Sequence, residues 1–253
     1  MSALHATVEN GLIRLVLDHP PVNILTREVL RELREALHTF SDHPTARVVL
    51  LSAAGRHFSA GADVGEHLPP HFERLIPEFL ETVTTLDRFP LPVIAAVRGR
   101  CLGGGFELVL AADLIVASDT ASFGQPEIVL GVAPPAAAAW LPGRCPRGVA
   151  ADLLFTGDPI PAAEAERAGL VRRVVPDGEL EAQATALAAR LTRHSAAALR
   201  EVKQMMRAGR DDLDAAAITA AGHRYVHSLM KTEDAVTGLR AFVEKRAPVW
   251  SHR

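Results

Sequence analysis

Residues 101–135 read CLGGGFELVLAADLIVASDTASFGQPEIVLGVAPP, and they set two carboxylates, Glu107 and Glu127, in surroundings that are almost entirely apolar or small. Two carboxylates meeting in an apolar pocket can hold one water between them. Their pKa values are then pushed apart, so that one serves as base while the other serves as acid. Taken singly, each has a plainer reading. Glu107 is also a first-turn glutamate that a helix dipole stabilises by about 0.3–1 kcal/mol, and Glu127 is also a loop carboxylate in GQPE. The connection between them favours the pair: a short helix from Glu107 and a returning strand, DLIVAS, bring residue 127 back near residue 107.

The glycine run Gly103-Gly104-Gly105 lies between a strand pattern and a helix pattern. There it lets the chain turn tightly and leaves backbone N–H groups unshielded by side chains. The helix N-terminus adds free donors and a partial positive charge, so the corner suits a phosphate or a developing oxyanion. No Gly-Lys-Ser/Thr follows, and the G-x-G-x-x-G spacing is absent, which excludes a P-loop and a dinucleotide fingerprint. Tight packing and an anion site both remain open for the run alone. A second small-residue loop, FSAGAD (Phe58 to Asp63), follows the strand pattern RVVLLSAAG. Alone it is a turn; together the two loops can aim one N–H each, from separate segments, at a single carbonyl oxygen.

Other reactive residues fit plainer roles. His57, His67 and His71 lie in a loop without a recognised ligand spacing and are read as surface or lid histidines rather than a metal site. Cys101 has no evident base beside it and reads as a small buried residue. The VKQMM stripe, Val202 to Met206, reads as helix packing, while Trp140 suits either a pocket wall or the core.

These residues must be positioned by a substantial fold. The chain has 253 residues, 48% of them hydrophobic and 23% charged, with a formal net charge of -3, which fits a globular protein with a real core and no nucleic-acid face. Two cysteines make a disulfide framework an unexpected feature and favour a reducing compartment. The N-terminal MSALHATVENG carries no leader pattern, and LPVIAAV is too short to cross a bilayer, so a cytoplasmic protein without membrane partners is expected. Residues 5–17 read as a hairpin turned at Asn10-Gly11. Residues 27–40 read as an amphipathic helix capped by Thr26. ARVVLLSAA and LPVIAAVRG are buried strands. A helix carrying Leu75, Phe79, Leu80, Val83 and Leu86 lies between them, with Pro77 near its first turn. A helix runs from the glycines through Ala112, then come the strand DLIVAS and a late strand in AGLVRRVV, with Gly169 as a C-cap. The last helix pattern, with Ala235, Leu239, Phe242 and Val243 as its apolar positions, suits packing on the core or on a neighbouring subunit. The coarse reading is a mixed α/β core with a C-terminal helical extension.

FSAGADV, AAVRGRCLGGGFELVLAADLIVASDTASFGQPEIVLGV and AFVEKRAPVW resemble the crotonase superfamily, the enoyl-CoA hydratases and isomerases, along nearly the whole chain. The resemblance implies an α/β spiral of ββα turns over residues 1–195. Residues 196–253 would form a helical region that assembles trimers or dimers of trimers. It implies an acyl-CoA thioester as substrate, with coenzyme A carried by that substrate and no metal or separate cofactor. The Ala62 and Gly104 N–H groups would form an oxyanion hole, Glu107 would activate water, and Glu127 would exchange the proton at Cα. Ala60, Asp63, Val64, Gly103, Pro135 and Trp140 fall at substrate-binding positions, and Phe242 and Lys245 at positions that contact the nucleotide of a neighbouring subunit's CoA. Double-bond isomerases of the family often keep only the second glutamate, so two favour adding or removing water. A double-bond isomerase and a non-catalytic acyl-CoA-binding protein are the alternatives. Two departures stand out. Gly65 replaces a lysine found near the CoA phosphates, and Pro135 replaces a glycine whose N–H lies near the catalytic water. The segment GVAPPAAAAWLPGRC is similar to dienoyl-CoA hydratases such as those acting on cyclohexa-1,5-diene-1-carbonyl-CoA.

Overall fold

A computed structural model describes residues 2–208 and 211–251, with the side chains of residue 208 and of residues 211–214 left aside. The Asn10-Gly11 turn joins β1 (Leu4–Glu9) to β2 (Leu12–Leu17), and both turn residues have positive φ, as this tight hairpin requires. The helix α1 (Arg27–Phe40) starts as its sequence predicts, with the Thr26 hydroxyl accepting from the Val29 N–H. It is followed by β3 (Val48–Ala53), α2 (Phe72–Asp87), β4 (Val93–Val97), β5 (Arg100–Leu102) and α3 (Gly104–Leu110). Next come β6 (Leu114–Ser118), β7 (Ser122–Gly124), α4 (Pro135–Arg144), α5 (Arg147–Thr156), β8 (Ile160–Pro161), α6 (Ala162–Arg167) and β9 (Arg173–Val175). Four helices close the chain: α7 (Leu180–Thr192), α8 (Ala196–Ala208), α9 (Asp211–His227) and α10 (Glu233–Val243).

The strands form a larger sheet ordered β1-β2-β3-β4-β6-β9 and a smaller one ordered β5-β7-β8. Successive turns of the chain feed both: β4 and β6 join the larger sheet, while β5 and β7, which follow each of them, join the smaller. That alternation is the spiral of ββα units. From β2 onward every pairing in the larger sheet is parallel. Such strands are covered on both faces, which is why VVLLSA and VIAAV are runs of apolar residues rather than alternations. Alternate residues serve opposite faces: Val49, Leu51, Val93 and Ala95 join the main core. Val48, Leu50, Ile94 and Ala96 pack against Leu180, Ala184 and Ala188 of α7.

Four local expectations are corrected or narrowed. Pro77 lies in the second turn of α2, not the first, where its missing N–H removes one intrahelical bond. The helix after the glycines ends at Leu110, two residues before Ala112. Phe242 and Val243 of α10 do not pack on this chain's core; they are exposed, which leaves the neighbouring-subunit alternative, while Ala235, Gly238, Leu239 and Ala241 face inward. The VKQMM stripe also fails as packing within this chain. Val202, Met205 and Met206 are exposed, and Lys203 is the residue that turns inward. Its Nζ donates to Asp113 Oδ2 at 2.7 Å and to the Leu91 carbonyl at 3.1 Å, pinning α8 to the core.

Candidate active site

The glycine corner explains why the chain cannot carry side chains there. Gly103 has φ 53° and ψ -130°, a backbone that L-residues rarely adopt, and a Cβ at this position would sit 2.7 Å from Glu127 Oε1. A Cβ on Gly104 would fall 3.3 Å from the Ala62 nitrogen, so the two loops approach backbone to backbone. Gly103 lies at the start of α3, where the first N–H groups have no intrahelical partner. Among the described residues, neither the Gly104 N–H nor the Ala62 N–H donates to a protein acceptor.

The loop carrying Ala62 is held on several sides. Leu25 and Ala62 form a parallel bridge, and Ser59 bridges Cys101 beside the smaller sheet. The buried Ser59 hydroxyl donates to the Asn23 carbonyl at 2.7 Å and accepts from the Gly61 N–H at 3.1 Å. Asn23, in a left-handed conformation, donates from its amide to the Ala54 and His57 carbonyls, each at 2.9 Å. Farther along, Glu66 accepts from the Arg27 N–H, while the Arg27 guanidinium grips Glu78 of α2 at 2.7 and 2.6 Å. Neither Asn23 nor Ser59 stood out in the sequence, because single polar residues in turns carry no spacing signal.

Glu107 lies in the first turn of α3 and is 3% exposed. Its Oε1 accepts from the Ala136 N–H at 2.7 Å and the Ala137 N–H at 2.9 Å. The carboxylate therefore caps the N-terminus of α4, a helix distant in sequence, by the same physics that lets an N-cap side chain satisfy free amide donors. Pro135 is the first residue of that helix, the one position where a missing N–H costs nothing. As expected of a proline, position 135 offers no N–H to water, and the next two N–H groups, of Ala136 and Ala137, are committed to Glu107. Glu127 sits in a 3-10 turn, residues 126–130, after β7. The buried Gln125 sets its side-chain amide against it, 3.1 Å from Oε2 and 3.3 Å from Oε1, and satisfies it as a donor once the amide is turned nitrogen-first.

Burial raises both carboxyl pKa values. Glu107 is pushed up to about 7 against the opposing pull of the Ala137 and Ala136 N–H groups. Glu127 is pushed well up by burial and by the charge of Glu107. Glu127 lacks the helix-terminal donors that stabilise ionised Glu107, so burial and the charge of Glu107 favour its protonated form. A carboxyl held neutral by the fold binds its proton more tightly folded than unfolded, so its contribution is complete below the ordinary carboxylate pKa and is lost as pH rises. Stability is therefore expected to fall between pH 4.5 and about 7 on account of Glu107. Thermal unfolding across that range measures it, and Glu107→Gln should flatten the dependence.

A cavity of about 70 Å³ lies among these groups, room for a few water-sized groups. Ala60, Ala62, Val64, Gly103, Gly104, Glu107, Glu127 and Pro135 all border it. Asp63 does not: its Oδ1 accepts from the Glu66 N–H at 3.0 Å and shapes the loop. Trp140 does not either; it is buried in the core with the Arg144 guanidinium 5.0 Å from its ring, so the core alternative holds. Phe242 and Lys245 lie at the end of α10, outside their own chain's cavity. Of the three histidines, His67 alone borders the cavity, with Nδ1 donating to the Asp63 carbonyl at 2.7 Å. His57 accepts from the Arg100 N–H instead. No group of three or more metal-binding side chains occurs among the described residues. Cys101 and Cys145 are free thiols, and burial raises the Cys101 pKa well above the ordinary thiol value. Residues unforeseen from the sequence complete the wall, chiefly Ile76 and Phe79 of α2, Leu130, Val132, and Tyr225 of α9.

Two buried carboxylates and two N–H groups without a protein acceptor border one cavity in this spiral of ββα units, an arrangement suited to an enzyme of acid–base chemistry, and residues 7–253 match the enoyl-CoA hydratase/isomerase family, to which this protein belongs. Among its relatives is the cyclohexa-1,5-dienecarbonyl-CoA hydratase of Thauera aromatica, 38% identical over 245 residues, spanning 97% of this chain and 95% of that one. The carnitinyl-CoA dehydratase of Salmonella typhi is 35% identical over 266 residues, spanning 99% of each. In structure, an enoyl-CoA hydratase from Mycobacterium avium subsp. paratuberculosis superposes with a TM-score of 0.88 at 29% identity over 98% of each chain.

Proposed function

We propose that this protein is a hydratase that adds water reversibly to the Cα=Cβ bond of an α,β-unsaturated acyl-CoA thioester. The observation that carries the reading is the pair of buried carboxylates sharing one cavity with two unengaged N–H groups from separate loops. The thioester oxygen accepts from Ala62 and Gly104. Ionised Glu107 takes a proton from water as the water oxygen bonds to Cβ, and the π electrons move onto the thioester oxygen as an enolate. The enolate re-forms the carbonyl as Cα takes the proton from Glu127. Each oxyanion donor contributes roughly 2.7–4 kcal/mol in comparable sites, and positioned acid–base groups about 10²–10⁴-fold each. The reading uses no metal and no cofactor besides the CoA of the substrate. It keeps the enzyme cytoplasmic and assembled as a homotrimer or dimer of trimers, with exposed Phe242 beside Lys245 available to a neighbouring subunit. No described helix is long and apolar enough to cross a membrane.

A cyclic dienoyl-CoA is the narrower substrate. It is supported by the Pro134-Pro135 start of α4, which leaves water to the carboxylates, and by the 38% identity to the Thauera hydratase. Hydration of crotonyl-CoA and of cyclohexa-1,5-diene-1-carbonyl-CoA is expected, with solvent ¹⁸O entering the product. Turnover of the linear substrate alone rejects the narrower reading. Migration of a double bond without oxygen incorporation replaces hydratase by isomerase, and tight acyl-CoA binding without turnover replaces it by a binding protein.

A further inference from the structure

Tyr225 takes no part in the reaction as derived, yet it borders the same cavity. It is 3% exposed, and its hydroxyl has no hydrogen-bond partner among the described residues. Its ring leans on His67, with ring centroids 6.3 Å apart, and its neighbours in the wall are apolar, Ile76, Val132 and Leu239 among them. Buried phenols normally find a partner, and a phenylalanine here would fill the same space without leaving a polar atom unpaired. Burial first, then the charges of Glu127 and Glu107, keeps the phenol neutral, so it offers a proton rather than a charge. Elsewhere on the wall the polar side chains are already engaged: Glu107 with α4, Glu127 with Gln125, and His67 Nδ1 with the Asp63 carbonyl. An oxygen arriving on Cβ belongs to the glutamates, which leaves the tyrosine for an oxygen farther along the acyl group.

Resting on the acyl-CoA reading but not on its cyclic dienoyl form, whose acyl group carries no such oxygen, we infer that Tyr225 is a specificity-determining residue whose hydroxyl donates to a carbonyl or hydroxyl oxygen carried by the acyl group beyond Cβ. A site built to bond such an oxygen discriminates against the analogue lacking it, because the buried donor is then left unpaired. The probes are hexanoyl-CoA, 5-oxohexanoyl-CoA and 4-oxopentanoyl-CoA, titrated by calorimetry into wild type and Tyr225→Phe. Wild type should bind at least one oxo thioester about 10–100-fold more tightly than hexanoyl-CoA, and the variant should bind all three alike. The variant should melt no lower than wild type, since no bond within the protein is lost; if it does not fold, Tyr225→Leu repeats the titration with the same expectation. Equal affinities in wild type, or a preference that survives removal of the hydroxyl, overturn the inference. In a parallel assay, Tyr225→Phe should lose kcat/KM on 5-oxo-trans-2-hexenoyl-CoA while keeping it on trans-2-hexenoyl-CoA. Should wild type hydrate neither, the hydratase reading fails on its own, and the calorimetric comparison still decides the role of Tyr225.

Discussion

Glu127→Gln is expected to lower kcat for enoyl-CoA hydration by about 10²–10⁴-fold, with Glu107→Gln falling in the same range. The amide keeps the size and shape of the carboxyl but cannot yield or accept the proton the reaction needs. Folding should survive both changes. Glu107→Gln retains the side-chain oxygen that accepts from Ala136 and Ala137, and each replacement removes a group that burial keeps from ionising freely. The double variant should lose far less than the product of the single losses, because the two residues act on one water as a unit. Disappearance of the enoyl thioester absorbance, read alongside thermal unfolding, checks this. Wild-type turnover in either single variant rejects the assignment of that glutamate.

Much of this site could be read from the sequence because its chemistry sits in two local patterns. The glycine run and FSAGAD each announce a bare backbone corner, and the helix-then-strand return after Glu107 has only one short way to bring Glu127 back. What could not be read depends on contacts between distant segments. That Glu107 caps α4 joins residue 107 to residues 136 and 137, a pairing no periodicity encodes. Pro135 looked like the loss of a donor and proved to be the first residue of the helix that supplies two. Tyr225 comes from α9, whose own pattern says nothing of a cavity built by α2, α3 and α4. Phe242, Val243 and the Val202–Met206 stripe mark the same limit: apolar spacing signals burial but not which surface provides it. In this chain those residues are exposed.

The same corner leaves Gly103 little able to take a side chain. Gly103→Ala places a Cβ where φ is 53°, at a cost of about 1–3 kcal/mol in folding stability. The new methyl would also stand 2.7 Å from Glu127 Oε1, inside van der Waals contact. Either Glu127 retreats or the start of α3 shifts, and the second outcome carries the Gly104 N–H with it. Both disturb groups that the proposed reaction needs aligned, and a displacement of about 1 Å is enough to cost about 10²-fold. The expected result is therefore a joint loss: a lower Tm and a kcat reduced by about 10²-fold or more. Gly143→Ala provides the comparison. It lies in α4, has no atom within 4 Å of the added methyl, and should leave turnover unchanged while raising helix stability by up to about 1 kcal/mol. If Gly103→Ala matched wild type in rate and Tm, the glycine would be dispensable, and the tight corner joining Glu127 to the proposed oxyanion site would have no part in catalysis.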